Sequence, residues 1–343
     1  MAQDRNAGTA TPEGGVTLFL KRAFVKLGIL PFLLVAAVVI FALMSDNFLT
    51  ARNLTNVLRQ SVYLMIVSIG QMLALLTGGF DLSVGTVLAL SSVAGAMAMA
   101  AIYAAMPEAV WLAIVLGCLV GVMAGTLIGV VNGVGVAFFN VSPFMMSLGM
   151  ASVGFGIALF LTGGVPVYGM PIAFGDTFGF GTALGVPVPV LVAAVLIAVL
   201  YVILYRTPFG RHFYAVGGNI KAASLSGINT QGTLFFTYVL CAFFAAVAGM
   251  LLTARLDTGE ANIGASMPLE SIAACVIAGV SLRGGVGRLE NVVLGALFIG
   301  LVQNGMNLAR IESYLQTVVL GALLILAVIA DQFRLKYVAT LKD

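Results

Sequence analysis

The sequence predicts an all-α, polytopic integral membrane protein with about ten transmembrane helices. Of its 343 residues, 61% are hydrophobic and 8% are charged, whereas soluble proteins carry about 25% charged residues. The apolar runs are longer than the roughly 9 to 11 alternating residues of a barrel strand, and lipid admits only helices and closed barrels. The spans are therefore expected to be helices, with no large water-soluble domain.

Ten apolar runs, separated by glycine, proline or charged residues, are the candidate spans. In chain order they cover residues 24–44, 54–77, 84–103, 111–138, 143–162, 186–205, 234–254, 270–282, 291–308 and 314–330. The eighth is too short to cross about 30 Å of hydrocarbon at 1.5 Å per residue, so it is expected to continue as broken or re-entrant structure. In both halves of the chain, a glycine pair separates one apolar run from the next, and this recurrence suggests an internal pseudo-repeat.

Basic residues near span ends predict the orientation. If the N-terminus is cytoplasmic, all but four of the 16 Lys and Arg residues fall on that side, the exceptions being Arg52, Arg59, Arg255 and Arg310. The first run is too long for a signal-peptide core and lacks a clear cleavage site. We therefore predict a cytoplasmic tail over 1–23, a membrane domain over 24–331 and a second cytoplasmic tail over 332–343.

The break between the second and third runs holds a glycine pair, Gly78 and Gly79, and a carboxylate, Asp81. A carboxylate before a long apolar run is typical of a helix N-cap, whose oxygen accepts a hydrogen bond from the backbone N–H of Ser83 or Val84. Alternatively, a break at membrane depth exposes backbone to a water-filled path. Both can hold together, because a charged residue at the bilayer centre costs at least about 2.5 to 3.5 kcal/mol and needs a reason.

Polar residues inside the apolar runs have two interpretations, interhelical hydrogen bonding and contact with a polar substrate. Together with the residues of the break, they form a set of candidate path residues. This set is Asp81, Ser83, Asn132, Asn304 and Asn307.

The longest polar loop within the chain, residues 206–230, is basic and bounded by glycines. Asn219 is a plausible N-cap and Gly227 a plausible C′ residue, so residues 220–226 are predicted to form one short helix. A helix of roughly 10 Å cannot span the membrane and must lie on the surface or in the groove of a partner. A third glycine-rich segment, 278–291, contains Arg283 and Glu290 among glycines that permit close approach of helices.

Two longer non-helical stretches, 163–185 and 255–270, are expected to face outward. Long structured loops are usually functional, so these either cover helix ends as a lid or dock an external partner.

Several function classes are disfavoured by what the sequence lacks. Cys118, Cys241 and Cys275 lie within apolar runs and are interpreted as small hydrophobic residues. The chain has a single histidine, no GxxxxGK[ST] phosphate-binding loop and no clustered metal ligands or acid–base pairs. We therefore expect no enzyme activity, no bound cofactor or metal, and no nucleic-acid partner.

Taken together, these segments resemble the permease subunit of bacterial ABC importers of the ribose type, which handle monosaccharides and related polyols. The resemblance covers residues 53–331 and rests on motifs found in order along the chain. They are GGFDLSVG at 78–85, NG at 132–133, PF at 143–144, SLG at 147–149, LTGG at 161–164, TPFGR at 207–211, YAVGGN at 214–219, LSGI at 225–228, GGVG at 284–287 and QNGMNL at 303–308. The chain departs from the family pattern at Glu290-Asn291, where a Gly-Thr pair is common, and near Gly154-Phe155, where relatives often have an arginine.

The resemblance implies that loop 206–230 contains the coupling helix, which docks into a separate cytoplasmic ATPase that binds ATP and Mg²⁺. The coupling residues would then be Gly210, Arg211, Tyr214, Gly217, Gly218, Asn219, Ala222, Ala223, Leu225 and Gly227. On this basis, Ala223→Arg is expected to uncouple transport while leaving the chain folded.

The resemblance also implies two permeases, identical or related, around a central path in the bacterial inner membrane. A periplasmic sugar-binding protein would dock on the outward loops, and the candidates for that contact are Tyr168, Phe174, Asp257 and Glu260. Transport would follow alternating access. The runner-up is an ion-coupled secondary transporter, which needs a titratable group at the midplane, and Asp81 is the one residue suited to that role.

Overall fold

The computed structural model describes residues 30–340, with side chains described for residues 30–329. Thirteen α-helices lie in this range. They are α1 (Leu30–Met44), α2 (Ala51–Leu76), α3 (Val84–Ala105), α4 (Val110–Ala137), α5 (Pro143–Thr162), α6 (Ile172–Phe174), α7 (Val188–Arg206), α8 (Pro208–Gly218), α9 (Ile220–Leu225), α10 (Thr230–Leu256), α11 (Met267–Ile277), α12 (Leu289–Leu308) and α13 (Ser313–Thr340). A π-helical turn at Gly175–Gly179 and a hairpin of β1 (Thr182–Ala183) and β2 (Val186–Pro187) precede α7.

The predicted all-α membrane class is confirmed. Each of the ten predicted runs coincides with a helix, and seven helices of the described chain are long and apolar enough to cross a membrane: α2, α3, α4, α5, α7, α10 and α12. As expected of the eighth run, α11 has only 11 residues. Residues 1–29, which include the predicted N-terminal tail, lie outside the described residues. Helix α13 runs on to Thr340, so most of the predicted C-terminal tail is helical.

Close helix packing around α4 follows from a glycine at every fourth position. A Cβ atom at Gly125 would lie 2.8 Å from the Ala246 side chain on α10, and one at Gly133 would lie 2.8 Å from the Phe235 carbonyl oxygen. Small residues allow such backbone approach where lipid supplies no hydrophobic drive for association. Helix α4 is therefore held tightly against α10.

Two non-helical segments enter the bundle instead of staying at its ends. After α2, the chain turns back so that the backbone N and O of Asp81 lie 3.3 and 3.1 Å from the side-chain amide of Gln71. From the opposite end, residues 257–266 run along α3. The Glu260 N–H donates to Ser92 Oγ at 3.2 Å, and a Cβ at Gly264 would lie 3.1 Å from the Leu88 side chain. We call residues 257–266 the re-entrant segment.

Candidate coupling site

The predicted short helix is present with both of its predicted caps. Asn219 Oδ1 accepts from the Ala222 N–H at 3.0 Å at the start of α9. At its end, Gly227 has φ +82°, and the Ile228 N–H donates to the Ala223 carbonyl at 3.1 Å. This is a Schellman closure, which needs a residue in the left-handed region and so favours glycine. Local sequence therefore determines where α9 begins and ends.

Helix α9 has one buried side and one exposed side. Ala223 is 5% exposed, whereas Leu225 is 90% exposed and Ile220 46% exposed. An arginine at Ala223 would have to displace packed neighbours, so this variant combines a change in packing with any change in docking, and its folding stays a prediction. Leu225 is the position that tests docking, because its apolar side chain lies open at the surface.

The predicted coupling residues likewise fall into an exposed group and a group turned towards the bundle. Exposed ones are Arg211, Gly218, Asn219, Ala222, Leu225 and Gly227, and those turned at least partly inward are Gly210, Tyr214, Gly217 and Ala223. The inward residues connect the helices to the bundle, and the exposed ones leave a surface for a partner.

The three glycine-rich segments singled out in the sequence meet at one place, at the Leu76 end of α2. The Gly285 N–H donates to the Leu76 carbonyl at 2.8 Å. A Cβ at Gly217 would overlap that carbonyl oxygen and lie 2.6 Å from the Gly285 nitrogen, and a Cβ at Gly284 would lie 3.0 Å from the Gly78 nitrogen. We call Leu76, Gly78, Gly217, Gly284 and Gly285 the glycine junction. Here backbone packs on backbone, so α8 contacts α2 and the α11–α12 connection without a side chain between them.

Two tyrosines strengthen this connection, and sequence reasoning gave Tyr205 no role. The Tyr214 hydroxyl donates to the Gly287 carbonyl at 3.2 Å, and burial raises the pKa of Tyr214. Tyr205 accepts from the Leu289 N–H at 3.1 Å and donates to Glu290 Oε2 at 3.0 Å. The departure from the family pattern at Glu290 could have indicated a local partner such as Tyr205.

Charge is distributed unevenly between the two ends of the bundle. The end with α8 and α9 exposes five cations, Arg206, Arg211, Lys221, Arg283 and Arg288, alongside one carboxylate, Glu290. The connections at the opposite end expose five carboxylates, Asp46, Glu108, Asp176, Asp257 and Glu312, alongside Arg52 and Arg310. This asymmetry follows the rule that basic residues mark the cytoplasmic side.

Three of the candidate path residues form one buried network. Asp81 Oδ1 accepts from the Ser83 N–H at 2.9 Å and from the Ser83 hydroxyl at 2.6 Å, and the Asn132 amide donates to that hydroxyl at 2.8 Å. All three residues are fully buried. The predicted hydrogen bond from the Ser83 N–H to Asp81 is confirmed, but the prediction of Asp81 as the N-cap is wrong, because α3 begins at Val84 and Ser83 occupies the N-cap position. The network joins the α2–α3 break to α4, and packed side chains separate it from any open surface.

The other two candidate path residues lie apart from that network. Asn304 on α12 exchanges two hydrogen bonds with Asn53 on α2, at 2.9 and 3.1 Å, and is 6% exposed. Asn307 is exposed and accepts from the Gln316 amide at 2.8 Å. Both side chains therefore connect helices, the first of the two interpretations given for polar residues in apolar runs.

We expect Asn304→Ala to lower the free energy of unfolding by about 1 kcal/mol, since hydrogen bonds between membrane helices average about 0.6 and reach about 1.7 kcal/mol. Uptake by the folded fraction should be unchanged. Thermal unfolding in detergent and uptake per folded molecule measure the two effects. Loss of uptake at unchanged stability would contradict the structural role.

The outward loops are joined to each other. Val167 and Gly259 pair as an antiparallel bridge, with N···O distances of 2.8 and 2.9 Å. Phe174 is 1% exposed and packs inside the bundle, so its prediction as a docking residue does not fit. Tyr168 and Asp257 are exposed, while Glu260 is half-buried beside Ser92. Tyr168 and Asp257 thus remain the accessible candidates.

Comparison with known proteins identifies the family. A family model described as "Branched-chain amino acid transport system / permease component" matches residues 53–328. The chain belongs to this family of transport permeases. It is 40% identical, over 90% of its length and 92% of the relative's, to the ribose import permease protein RbsC of Bacillus subtilis. No solved structure matches it significantly.

Two other relatives are named for sugars other than ribose. The D-allose transport system permease protein AlsC of Escherichia coli is 35% identical over 88% of the chain and 90% of the relative. The galactose/methyl galactoside import permease protein MglC of Escherichia coli is 33% identical over 95% of the chain and 96% of the relative. The predicted resemblance to ribose-type permeases is confirmed.

Proposed function

We propose that the chain is the membrane-spanning permease subunit of an ABC importer for monosaccharides or related polyols. The observation that carries this proposal is the α8–α9 unit, which is capped by its own sequence, connected to α2 and α12 through the glycine junction, and left with Leu225 exposed. A surface of this kind suits a partner that pushes on the bundle. The exposed cations at the same end support a cytoplasmic position for it.

In the proposed mechanism, a separate ATPase subunit binds ATP and Mg²⁺ and clasps the α8–α9 unit in a bacterial inner membrane. Closure of the ATPase displaces α8, and because α8 contacts α2 and the α11–α12 connection through backbone atoms, these elements must follow. A second permease copy or a related one completes the path. A ligand shifts a conformational equilibrium only by its differential affinity, so ATP and the loaded sugar-binding protein must both favour the outward-open state.

The substrate class is supported by the names of the relatives. The family description mentions branched-chain amino acids, but the relatives reported above are named for ribose, allose and galactose. Uptake of labelled D-ribose, D-allose, D-galactose and L-leucine by the full transporter compares the two classes directly. We expect a sugar to be transported and leucine to be ignored.

The energy source is tested in the same system. Uptake should stop when the partner ATPase carries a substitution that blocks hydrolysis, and it should continue when the ion gradient is collapsed at constant ATP. Uptake that follows the ion gradient would favour the runner-up, an ion-coupled transporter.

The variant Asp81→Asn distinguishes an ATP-driven importer from an ion-coupled transporter. Asp81 uses Oδ1 for both of its side-chain hydrogen bonds, and its Oδ2 has no protein partner among the described residues. The amide keeps an acceptor oxygen and removes a buried charge. We therefore expect the amount of folded protein and the rate of ATP-driven uptake to stay within about twofold of wild type. An ion-coupled carrier that uses this carboxylate would lose transport entirely. Uptake per folded molecule is the measurement.

A further inference from the structure

A cavity of about 310 Å³ lies between α3, α5 and the re-entrant segment. Its walls are largely apolar, with three polar side chains: Thr86 on α3, Ser152 on α5 and Asn262 on the re-entrant segment. Phe155 of α5 forms part of the rim and is 39% exposed. None of the predicted path residues lines this cavity. Mostly apolar walls with a few placed polar groups are typical of small-molecule sites.

The cavity lies well inside the span of the bundle. Helix α3 has 22 residues and so rises about 33 Å, and Ser92, which accepts from the Glu260 N–H, stands about 12 Å from its Val84 end. Gly264 lies still closer to that end, beside Leu88. Asn262 falls between these two contacts, so it lies about 6 to 12 Å along the axis of α3 from its Val84 end, within the length of the helix. Non-helical backbone at this depth occurs only where it is buried in protein or lines a water-filled space.

Asn262 is an exposed residue between two buried ones in this segment. Its neighbours Ala261 and Ile263 are 8% and 6% exposed, whereas Asn262 itself is exposed. Its amide makes no hydrogen bond within the described part of the chain, and an amide in an apolar medium without a partner costs roughly 2 to 7 kcal/mol. Contact with lipid is therefore costly for Asn262, whereas water or a polar solute would supply its amide with hydrogen-bond partners.

The adjoining face of α5 carries small residues. Gly149, Ser152 and Gly156 follow each other at helical spacing and are all exposed, and a Cβ at either glycine would meet nothing within 4 Å. This stripe extends the cavity along α5 as a shallow track without bulky side chains. A sugar can place hydroxyl groups against Asn262 and Ser152 while its apolar ring face lies on Phe155.

We propose that this cavity is a contact site for the sugar on the translocation path, with Asn262 and Ser152 as its hydrogen-bonding groups. The proposal rests on the proposed function for the identity of the solute, but water access at Asn262 is a separate claim. A test of access therefore fails or succeeds independently of whether the chain transports sugar.

The first experiment measures the water accessibility of single cysteines in the full-length chain in native membranes. Cys118→Ala is the parent, since Cys241 and Cys275 are fully buried. Asn262→Cys, Ser152→Cys and the control Met123→Cys, on the exposed face of α4, are treated with methanethiosulfonate ethylammonium, which reacts with the thiolate. We expect positions 262 and 152 to react at least about tenfold faster than 123. Equal rates at 262 and 123 would overturn the proposal.

The second experiment uses the complete transporter and the sugar it takes up, with D-ribose tried first. Asn262→Trp fills the cavity and should lower uptake by about tenfold or more, with ATP hydrolysis retained, whereas Met123→Trp should transport normally. Normal uptake by Asn262→Trp would also overturn the proposal. Because labelling needs no transport, the first experiment decides the matter if the tryptophan variant does not fold. A transporter that moves no sugar in its unmodified form refutes the proposed function and leaves the labelling result standing.

Discussion

Gly217→Ala is expected to destabilise the chain by about 3 kcal/mol or more, the upper range for overpacking. The added methyl group would overlap the Leu76 carbonyl oxygen and crowd the Gly285 nitrogen. Both are backbone atoms of the glycine junction, so neither can rotate away as a side chain would. The hydrogen bond from Gly285 to Leu76 must lengthen or break, and α8 must separate from α2.

The neighbouring residue provides the matched control. A Cβ at Gly218 would meet nothing within 4 Å, so Gly218→Ala should change stability by no more than about 0.5 kcal/mol. Thermal unfolding of the two variants in the same detergent measures the difference. Equal stability of the two variants would show that α8 does not pack on α2 as described.

Leu225→Asp is expected to abolish ATP-driven uptake and to weaken ATPase binding by about 30-fold, the loss typical of an interface hot spot of about 2 kcal/mol. Leu225 is 90% exposed at the end of α9. The substitution replaces an exposed side chain and displaces no packed neighbour, so the variant should fold normally. Co-purification of the ATPase and uptake by the assembled transporter are the two readouts.

Leu184→Asp is the control for this change. Leu184 is 99% exposed at the tip of the β1–β2 hairpin, at the opposite end of the bundle, and has φ +55°, which aspartate tolerates better than leucine. It receives the same substitution at similar exposure, yet ATPase binding should be unchanged. Equal binding loss in both variants would mean a non-specific effect of charge, and normal binding in Leu225→Asp would remove α9 from the interface.

Features set by local physical chemistry could be predicted from the sequence. The spans follow from apolar runs, and the shortness of α11 follows from the length of the eighth run. The caps of α9 follow from Asn219 and Gly227, because an amide that bonds backbone N–H groups and a residue that adopts positive φ are local properties.

Features set by long-range packing could not be predicted in this way. The glycine pairs at 78–79, 217–218 and 284–285 were each visible, but nothing local indicates that they meet. The burial of Ala223 and Phe174 and the partnership of Asn304 with Asn53 likewise depend on which helices become neighbours. Asn262 was overlooked because its significance depends on its depth along α3, which only the three-dimensional arrangement defines.

The most direct test is site-specific photo-crosslinking in cells that express the whole transporter. A photoreactive amino acid in place of Leu225 should crosslink to the ATPase subunit, and one in place of Leu184 should not. This pattern would place α9 at the cytoplasmic face in contact with the ATPase that drives transport. Crosslinking of the ATPase from Leu184, or its absence from Leu225 in an assembled and active transporter, would contradict the account.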